Sequence, residues 1–292
     1  MLLHNGTQGK EVAQWQSFLI QQRLLDGTAD GIFGSQTKAA TIQFQSQQGL
    51  QTDGVVGPGT LAAAEKLGAT ITTSTSGNTA FPPENSLNAV FDISHHNGTN
   101  LDFTSAKQAG MAAVFQKATQ GSTFVDPTYE SHRQAAQAAG FLWGAYHFAD
   151  DSDPIAQADH FLSVAQTGHS TVLVLDFESN KDNTMSLDQA VQFVQRIKEK
   201  TGKYPGLYGG SLLKSLTASQ ANPTLSSCWL WLAEYGSTAR LPKGWTAWTF
   251  WQYTDGSLGP AHETIPGIGK CDRELFNGDE NALQTFWSNS AV

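Results

Sequence analysis

The sequence predicts an α/β protein: a TIM-like (β/α) barrel, irregular in its last third, preceded by a small all-α domain of three helices. Two observations predict this architecture. Over residues 89–292, short apolar segments alternate with segments of helical periodicity, which indicates βα units on a mainly parallel sheet. Near the amino terminus a turn motif recurs beside segments of helical spacing, and such a repeat indicates a duplicated structural unit.

The amino-terminal repeat consists of DGIFGSQT at residues 30–37 and DGVVGPGT at residues 53–60. Each copy opens on Asp-Gly, a tight-turn signal, and ends at a threonine beside a helical segment. Apolar residues that include Trp15 and Leu19 follow helical spacing before the first copy. The repeat therefore predicts a three-helix domain over residues 1–68.

A linker is predicted between the two parts of the chain. Residues 69–88 read ATITTSTSGNTAFPPENSLN, which is rich in Thr, Ser, Asn and Pro and has no apolar period. Segments of this composition are typical of interdomain linkers. We therefore place the barrel at residues 89–292.

Strands and helices follow one another along the predicted barrel in a regular order. The predicted strands are AVFDISHH, AAVFQKAT, FLWGAYHFA, VLVLDFES, PGLYGG, CWLWLAEY, WTFWQYT and GKCDRELF. Helices are predicted around 104–109, up to 140, over 155–165, in LDQAVQFVQRIKEKTG and near Leu213. This number of strands suits a barrel.

The charge of the chain argues against two classes of partner. The formal net charge is −9, and only 17 residues are Lys or Arg. Nucleic acids and anionic membranes are held mainly by clustered positive charge. We therefore expect no nucleic-acid partner and no membrane partner, and we expect a monomer.

The chain also lacks the sequence signals of export and of a disulfide scaffold. Its start, MLLHNGTQGK, has no charged and apolar secretory pattern, and no later stretch approaches the length of a membrane span. We expect synthesis as a soluble cytoplasmic product. The two cysteines, Cys228 and Cys271, are too few for a disulfide framework. We expect free thiols, with a single bridge between them as the alternative.

One predicted strand ends in two acids. In VLVLDFES, Asp176 and Glu178 follow an apolar run and are separated by Phe177. Side chains alternate across a strand, so the two acids share one face. Like charges that are close together and partly desolvated push one carboxyl group toward its protonated form. This pair is therefore a candidate for acid catalysis.

Other predicted strand ends carry acids and aromatic residues. In a βα barrel the carboxyl ends of the strands surround one rim, where functional groups gather. The candidates at these ends are Asp92, Tyr146, His147, Glu234, Tyr235, Trp251, Gln252 and Asp272. Glycoside cleavage requires a protonated carboxylic acid and a negative group that stabilises an oxocarbenium-like centre. The rim therefore favours a carbohydrate hydrolase.

We predict no metal and no cofactor at this rim. His95 and His96 are adjacent, so on a strand they point to opposite faces, and no third ligand has suitable spacing. A hydrogen-bonding role is the better interpretation of these histidines. Single acids at strand ends are also common helix caps, and tryptophans are usually buried, so the candidates gain weight only as a set.

The amino-terminal motifs resemble a known binding domain. Val12, Trp15 and Leu19 are followed by DGIFGSQT, FQSQQGL and DGVVGPGT. Over about residues 6–68 this pattern resembles the peptidoglycan-binding domain found at one end of many cell-wall hydrolases. The resemblance implies bacterial peptidoglycan as the partner.

The barrel motifs resemble the glycoside hydrolase family 25 lysozymes of the Chalaropsis type. The motifs are FDISHHNG, KATQG, FVDPTY, AAGFLWGAYHF, DPIAQADHF, VLVLDFE, TGKYPGLYGG, WLAEY, FWQYT and PGIGKCDRELFNG. The resemblance implies cleavage of the β-1,4 bond between N-acetylmuramic acid and N-acetylglucosamine. It also implies that Glu178 is the general acid, supported by Asp92, Asp176 and Asp272. The sequence departs from the family pattern after Asp272, where CDRELFNG has Arg-Glu and family members commonly have Leu-Asn.

Several alternatives remain open at the level of sequence. A chitinase-like glycosidase also places D-x-E at a strand end, and a wall-binding protein with an inactive barrel is a third interpretation. The route of cleavage is covalent, inverting or assisted by the substrate's N-acetyl group. The resemblance favours a bacteriophage endolysin that is made in the host cytoplasm and acts on the wall after release, with an exported bacterial enzyme as the alternative.

Overall fold

In a computed structural model of the 292-residue chain, the structure describes residues 3, 7, 9–50, 52–69, 81–165, 170–260 and 264–292. The chain divides into two compact units, Met1–Thr79 and Ala80–Val292. Residues 70–80, which are most of the predicted linker, lie outside the described residues. The first strand of the second unit begins at Leu87, within the segment predicted as linker.

The first unit contains helices on either side of the repeated turns. These helices are α1 (Lys10–Gln21), α2 (Ser35–Gln47) and α3 (Pro58–Lys66). Their apolar faces meet in one cluster whose centre is aromatic. The ring centroids of Trp15 and Phe44 lie 5.4 Å apart at an interplanar angle of 86°. This edge-to-face packing gives the unit a hydrophobic core of its own.

A buried glutamine organises the first repeated turn. Gln16 Nε2 donates to Asp30 Oδ1 at 2.7 Å, to the Ile32 carbonyl at 3.0 Å and to Thr37 Oγ1 at 3.1 Å. Its Oε1 accepts from the Gly31 amide at 2.8 Å. Gly31 has a φ of 75°, a conformation that glycine adopts without strain.

The second turn repeats this arrangement with Gln45. Its Nε2 donates to Asp53 Oδ1 at 2.7 Å, to the Val55 carbonyl at 2.9 Å and to Thr60 Oγ1 at 3.2 Å. The Gly54 amide donates to Gln45 Oε1 at 2.9 Å. The Asp, Gly and Thr of each repeat are therefore used within the fold, which gives a structural reason for the repeated pattern.

The second unit contains a closed barrel of eight strands and a short accessory strand. The strands are β1 (Leu87–Ile93), β2 (Ala113–Gln120), β3 (Phe124–Val125), β4 (Leu142–Phe148), β5 (Val172–Asp176), β6 (Gly206–Gly209), β7 (Leu230–Ala233), β8 (Phe250–Thr254) and β9 (Asp272–Phe276). Their order is β1-β9-β8-β7-β6-β5-β4-β2-β3, and an additional β1–β2 pairing closes the barrel. β9 is antiparallel to both of its neighbours, and β3 pairs only with β2 among the described strands.

Helices pack against the strands of the second unit. They are α4 (Phe103–Gln108), α5 (Tyr129–Ala138), α6 (Pro154–Ala165), α7 (Leu187–Thr201), α8 (Ser211–Thr217) and α9 (Glu280–Ser290). One apolar cluster packs between strands and helices, and a second one fills the barrel interior. Both faces of the strands are therefore buried, as expected for a mainly parallel sheet.

Helix α9 was not among the helices predicted from the sequence. Asp279 caps its amino end by accepting from the Ala282 amide at 2.8 Å. Trp287 packs on Phe115 of β2 at a centroid distance of 5.1 Å and donates to the Trp143 carbonyl at 2.9 Å. Helix α9 thus supplies apolar side chains to the barrel interior.

Two further expectations concern single features of the chain. Cys228 and Cys271 are both buried and unpaired. Among the described helices, none has the length and apolar character that a membrane span requires.

Candidate active site

A cavity of about 410 Å³ opens at the carboxyl ends of the parallel strands. Strands β1, β2, β4, β5, β6, β7, β8 and β9 or the loops after them contribute side chains to it. The lining residues are Asp92, Ser94, His96, Lys117, Gln120, Tyr146, Phe148, Asp176, Glu178, Asn180, Tyr208, Trp231, Tyr235, Gln252 and Asp272. Acids and aromatic side chains therefore share one space, as the sequence predicts.

Strand β5 delivers two acids to the cavity. Asp176 is the last residue of the strand, and Glu178 lies two positions further along. Both line the cavity, whereas Phe177 is fully buried in the apolar cluster outside the barrel. The alternation of side chains thus places the acids on one face. Asp176 is 6% exposed, and Glu178 is half-buried.

Asp92 and Asp272 reach the cavity from opposite chain directions. Asp92 lies near the carboxyl end of β1, whereas Asp272 is the first residue of β9. Because β9 is antiparallel, its amino end lies at the rim where the other strands end, and Asp272 pairs in register with Asp92. Asp272 therefore lies at the amino end of its strand, whereas the sequence prediction placed functional residues at the carboxyl ends.

Burial, followed by the charges of neighbouring groups, raises the pKa values of these acids. Burial raises the pKa of Asp176 well above its usual range, and the charges of Glu178 and Asp92 raise it further. Burial, and then the charge of Asp92, raises the pKa of Glu178. Burial and the charge of Asp92 also raise the pKa of Asp272 to about 8. The cavity therefore retains carboxyl protons at a pH where exposed acids have lost theirs.

One ammonium group faces the acids. Lys117 Nζ donates to Gln120 Oε1 at 2.6 Å and lies 4.6 Å from the centroid of the Phe148 ring. Burial lowers the pKa of Lys117, and the charges of Asp176 and nearby acids act against that change. Among the lining residues Lys117 is the single Lys or Arg, so the cavity is acidic overall.

A chain of hydrogen bonds fixes one oxygen of Asp92. Gln252 Nε2 donates to Asp92 Oδ2 at 2.8 Å, and Gln252 Oε1 accepts from the Tyr208 hydroxyl at 2.9 Å. The Tyr208 bond sets the orientation of the amide, so the Gln252 amide nitrogen faces Asp92. Asp92 is therefore held as an acceptor.

Three of the six predicted substrate-binding residues line the cavity, namely Tyr146, Tyr235 and Gln252. His147 does not line it, which corrects the sequence prediction. It is fully buried, its ring stacks on Phe193 at 5.0 Å, and Nδ1 lies 2.8 Å from Thr119 Oγ1. Tyr146 faces the cavity, so His147 next to it faces the helices. Burial lowers the pKa of His147 to about 4, so it is a neutral core residue.

Trp251 also lies outside the cavity, which corrects its prediction, and Glu234 does not line this cavity either. Trp251 neighbours Gln252 on β8, is 1% exposed and donates through Nε1 to the Glu234 carbonyl at 2.7 Å. The Glu234 carboxylate forms ion pairs with Lys214 and Arg240. It lines an adjacent cavity of about 300 Å³, which shares Glu178, Tyr208 and Tyr235 with the first.

Several lining residues are not among the site residues predicted from the sequence. Trp231 of β7 faces the interior, and its Nε1 is buried without a hydrogen-bond acceptor among the residues that the structure describes. Its ring meets Tyr208 at 5.0 Å and 76°. Both residues lie in predicted strands, and their alternation with small or apolar neighbours is the available signal. His96 also lines the cavity, whereas His95 Nδ1 lies 2.7 Å from Asp126 Oδ2.

In the part of the chain that the structure describes, no group of three or more His, Cys, Asp and Glu side chains has an arrangement that could hold a metal ion. The acids line one shared cavity. The geometry is therefore suited to proton transfer and to stabilisation of positive charge.

Comparison with known proteins supports this interpretation. Residues 91–260 match the model of glycosyl hydrolases family 25, and residues 8–64 match a putative peptidoglycan binding domain. The chain is similar to Lysozyme M1 of Streptomyces globisporus, at 30% identity over 68% of this chain and 71% of the relative. It is also similar to the N,O-diacetylmuramidase of Arthroderma benhamiae, at 32% identity over 67% of this chain and 85% of the relative.

Solved structures show the same likeness. A bacterial lysozyme from Streptomyces coelicolor superposes with a TM-score of 0.60 at 33% identity, covering 69% of this chain and 97% of that one. The CTP1L endolysin superposes with a TM-score of 0.55 at 25% identity, covering 70% of this chain and 71% of that one. The family match alone spans more than half of the 292 residues. The chain therefore belongs to glycosyl hydrolases family 25.

Proposed function

We propose that the chain is an N-acetylmuramidase that cleaves the β-1,4 bond between N-acetylmuramic acid and N-acetylglucosamine in peptidoglycan. The observation that carries this proposal is the group of four acids, Asp92, Asp176, Glu178 and Asp272, around one cavity of a family 25 barrel. The names of the similar lysozymes and diacetylmuramidases support the substrate.

Glu178 is the proposed general acid. It is the half-buried member of the β5 pair, so a glycosidic oxygen in the cavity has access to its proton. Burial and the charge of Asp92 raise its pKa, which favours the protonated form before reaction. Transfer of that proton to the leaving oxygen accompanies cleavage of the bond between this oxygen and the anomeric carbon. Glu178 ends the step as a carboxylate.

The remaining acids stabilise the positive charge that develops on the sugar. Asp176 and Asp92 are more buried than Glu178. The positive charge that develops on the sugar favours their ionised forms, which act in surroundings with little water to screen them. Asp176 Oδ1 is buried and has no donor among the described residues. Trp231 Nε1 is likewise buried and has no acceptor among the described residues. A sugar with hydroxyl and acetamido groups supplies partners for both atoms.

Mass analysis of the soluble products from digested peptidoglycan tests the proposed reaction. We expect fragments whose reducing end is N-acetylmuramic acid. Reducing-end N-acetylglucosamine would contradict the muramidase assignment, and cleavage of chitin oligosaccharides at a comparable rate would favour the chitinase-like alternative. Absence of any fragment from the folded protein would favour a wall-binding protein with an inactive barrel.

The first unit is the proposed wall anchor. It matches a putative peptidoglycan binding domain and has a hydrophobic core separate from those of the barrel unit. The CTP1L likeness further supports a role as a bacteriophage endolysin that lyses the host wall. The proposed domain plan is therefore a wall-binding unit at residues 1–68, a linker that begins at residue 69, and an irregular TIM-like barrel whose first strand begins at Leu87.

Removal of residues 1–79 is expected to weaken binding to insoluble peptidoglycan by on the order of 10²-fold, because one of two linked binding sites is lost. Cleavage of small soluble glycan fragments should stay within about threefold of the parent, because the barrel keeps its own core. Pelleting assays and fragment kinetics measure the two quantities. Equal losses in both assays would contradict the anchor role.

A further inference from the structure

Glu274 is a fully buried acid inside the barrel that no part of the proposed mechanism uses. On β9 it follows Asp272 by two positions, so both side chains face the interior, whereas Arg273 faces outward. Its register partners are Val90 on β1 and Gln252 on β8. It therefore lies directly below the rim acids, on the side away from solvent.

Among the described residues, no N–H or O–H group of another side chain or of the backbone donates to the Glu274 carboxyl group. An ionised Glu274 would therefore have no hydrogen-bond donor. Both of its oxygens are buried, and neither accepts a hydrogen bond from a described amide, amine or hydroxyl group. The group that it does contact is the carboxyl group of Asp92, through a side-chain hydrogen bond. Two carboxyl groups form such a bond only when one of them holds a proton. The pair therefore shares a proton.

The neighbours decide which member of the pair holds that proton. Burial raises the pKa of Asp92 too, but its hydrogen bonds with Glu274 and with Gln252, the latter at 2.8 Å, act against that change and favour ionised Asp92. Glu274 has no comparable donor, and burial, followed by the charge of Asp92, raises the pKa of Glu274 well above its usual range. Glu274 is therefore the protonated member.

The charged and titratable groups around Glu274 support this distribution. Asp92 on β1 and Asp272 on β9 both disfavour a negative charge at Glu274, whereas Arg273 acts in the opposite direction. Arg273 faces outward and donates through Nη2 to Asn88 Oδ1 at 3.0 Å. Cys271 and Tyr253 are near as well, and burial raises the pKa of both, so neither carries charge near neutral pH.

We infer that Glu274 is a positioning residue whose protonated carboxyl group donates a hydrogen bond to Asp92 and, with Gln252, holds Asp92 ionised and directed into the cavity. Two donors, Gln252 on β8 and Glu274 on β9, thus bind the same carboxylate. This inference rests on the proposed function for the role of Asp92, but not for the location of the proton.

Two substitutions of Glu274 distinguish a role as hydrogen-bond donor from a role in packing alone. Glu274→Gln keeps a donor of the same shape, so its kcat on peptidoglycan should stay within about threefold of the parent. Glu274→Met fills similar volume but donates nothing, so its kcat should fall about tenfold or more, the effect of losing a hydrogen bond to a charged group. KM should change little in both variants. Parental kcat in folded Glu274→Met, or a loss in folded Glu274→Gln equal to that of the Met variant, would overturn the inference.

Infrared spectroscopy locates the proton without any substrate. At pH 7 the parent should show one more protonated carboxyl group, by its carbonyl stretching band, than Glu274→Gln. Glu280→Gln, which changes an exposed acid at the start of α9, should leave the band unchanged. An identical band in the parent and in Glu274→Gln would show that Glu274 is ionised and would overturn the inference. A parent that releases no muramic-acid fragments would contradict only the proposed function, because the infrared result does not depend on turnover.

Discussion

Glu178→Gln is expected to bind peptidoglycan as the parent does and to lose turnover by about 10²–10⁴-fold or more, the usual contribution of a general acid. The amide keeps the shape and the hydrogen-bonding capacity of the side chain but has no proton to transfer. Glu178 lines the cavity from a half-buried position, so the substitution leaves the barrel core untouched. Initial rates on soluble glycan fragments, with pelleting on insoluble peptidoglycan, measure the two effects.

Glu280→Gln provides the matched control for this substitution. It makes the same chemical change at an exposed residue of α9 that does not line the cavity, and should retain parental turnover. Near-parental turnover in folded Glu178→Gln would mean that the acid has been misassigned. Asp92 and Asp272 would then be the next candidates, since both line the same cavity.

Local alternation was enough to predict the β5 pair from the sequence. The motif contains Asp176 and Glu178 on either side of Phe177, and this spacing fixes a common face for the acids whatever the rest of the fold. The structure bears out the shared face, because both acids line the cavity and Phe177 is buried outside the barrel. Which elements were strands could be predicted for the same reason, since their apolar runs are short and separated by helical segments.

The face of a strand could not be predicted where both faces are buried. In β4 the run LWGAYHF is apolar on either side, so the sequence does not reveal that Tyr146 faces the cavity and His147 the helices. The same ambiguity in β8 separates Gln252 from Trp251. A shift of one position exchanges the two faces.

Contacts between side chains that are far apart in the chain could not be predicted from the sequence either. Glu234 looked like a rim acid, but its carboxylate is occupied by Lys214 and Arg240 from other segments. Glu274 looked like a substitution within a motif, and only the register of β9 against β1 reveals its contact with Asp92. The direction of a strand could not be predicted either. The antiparallel β9 brings Asp272 to the rim by its amino end.

Asp176→Asn is expected to slow the reaction and to shift the basic limb of the pH–rate profile downward by about one pH unit. In the parent, the charge of Glu178 opposes ionisation of Asp176, so the pair releases its last proton only at a raised pH. This holds whichever carboxyl group carries that proton in the free protein. With Asn at this position the repulsion is gone, so Glu178 loses its proton at a lower pH, although burial and Asp92 still raise its pKa.

The measurement is kcat/KM on soluble glycan fragments across the pH range for the parent, Asp176→Asn and the control Asp182→Asn. Asp182 is an exposed acid in the loop after β5, where solvent screens its charge, so its substitution should leave the profile unchanged. A basic limb of Asp176→Asn that coincides with the parent's, or lies above it, would show that Asp176 does not help to keep the proton on Glu178. The downward shift is expected because the rate falls when Glu178 is ionised, and removal of a neighbouring negative charge makes that ionisation easier.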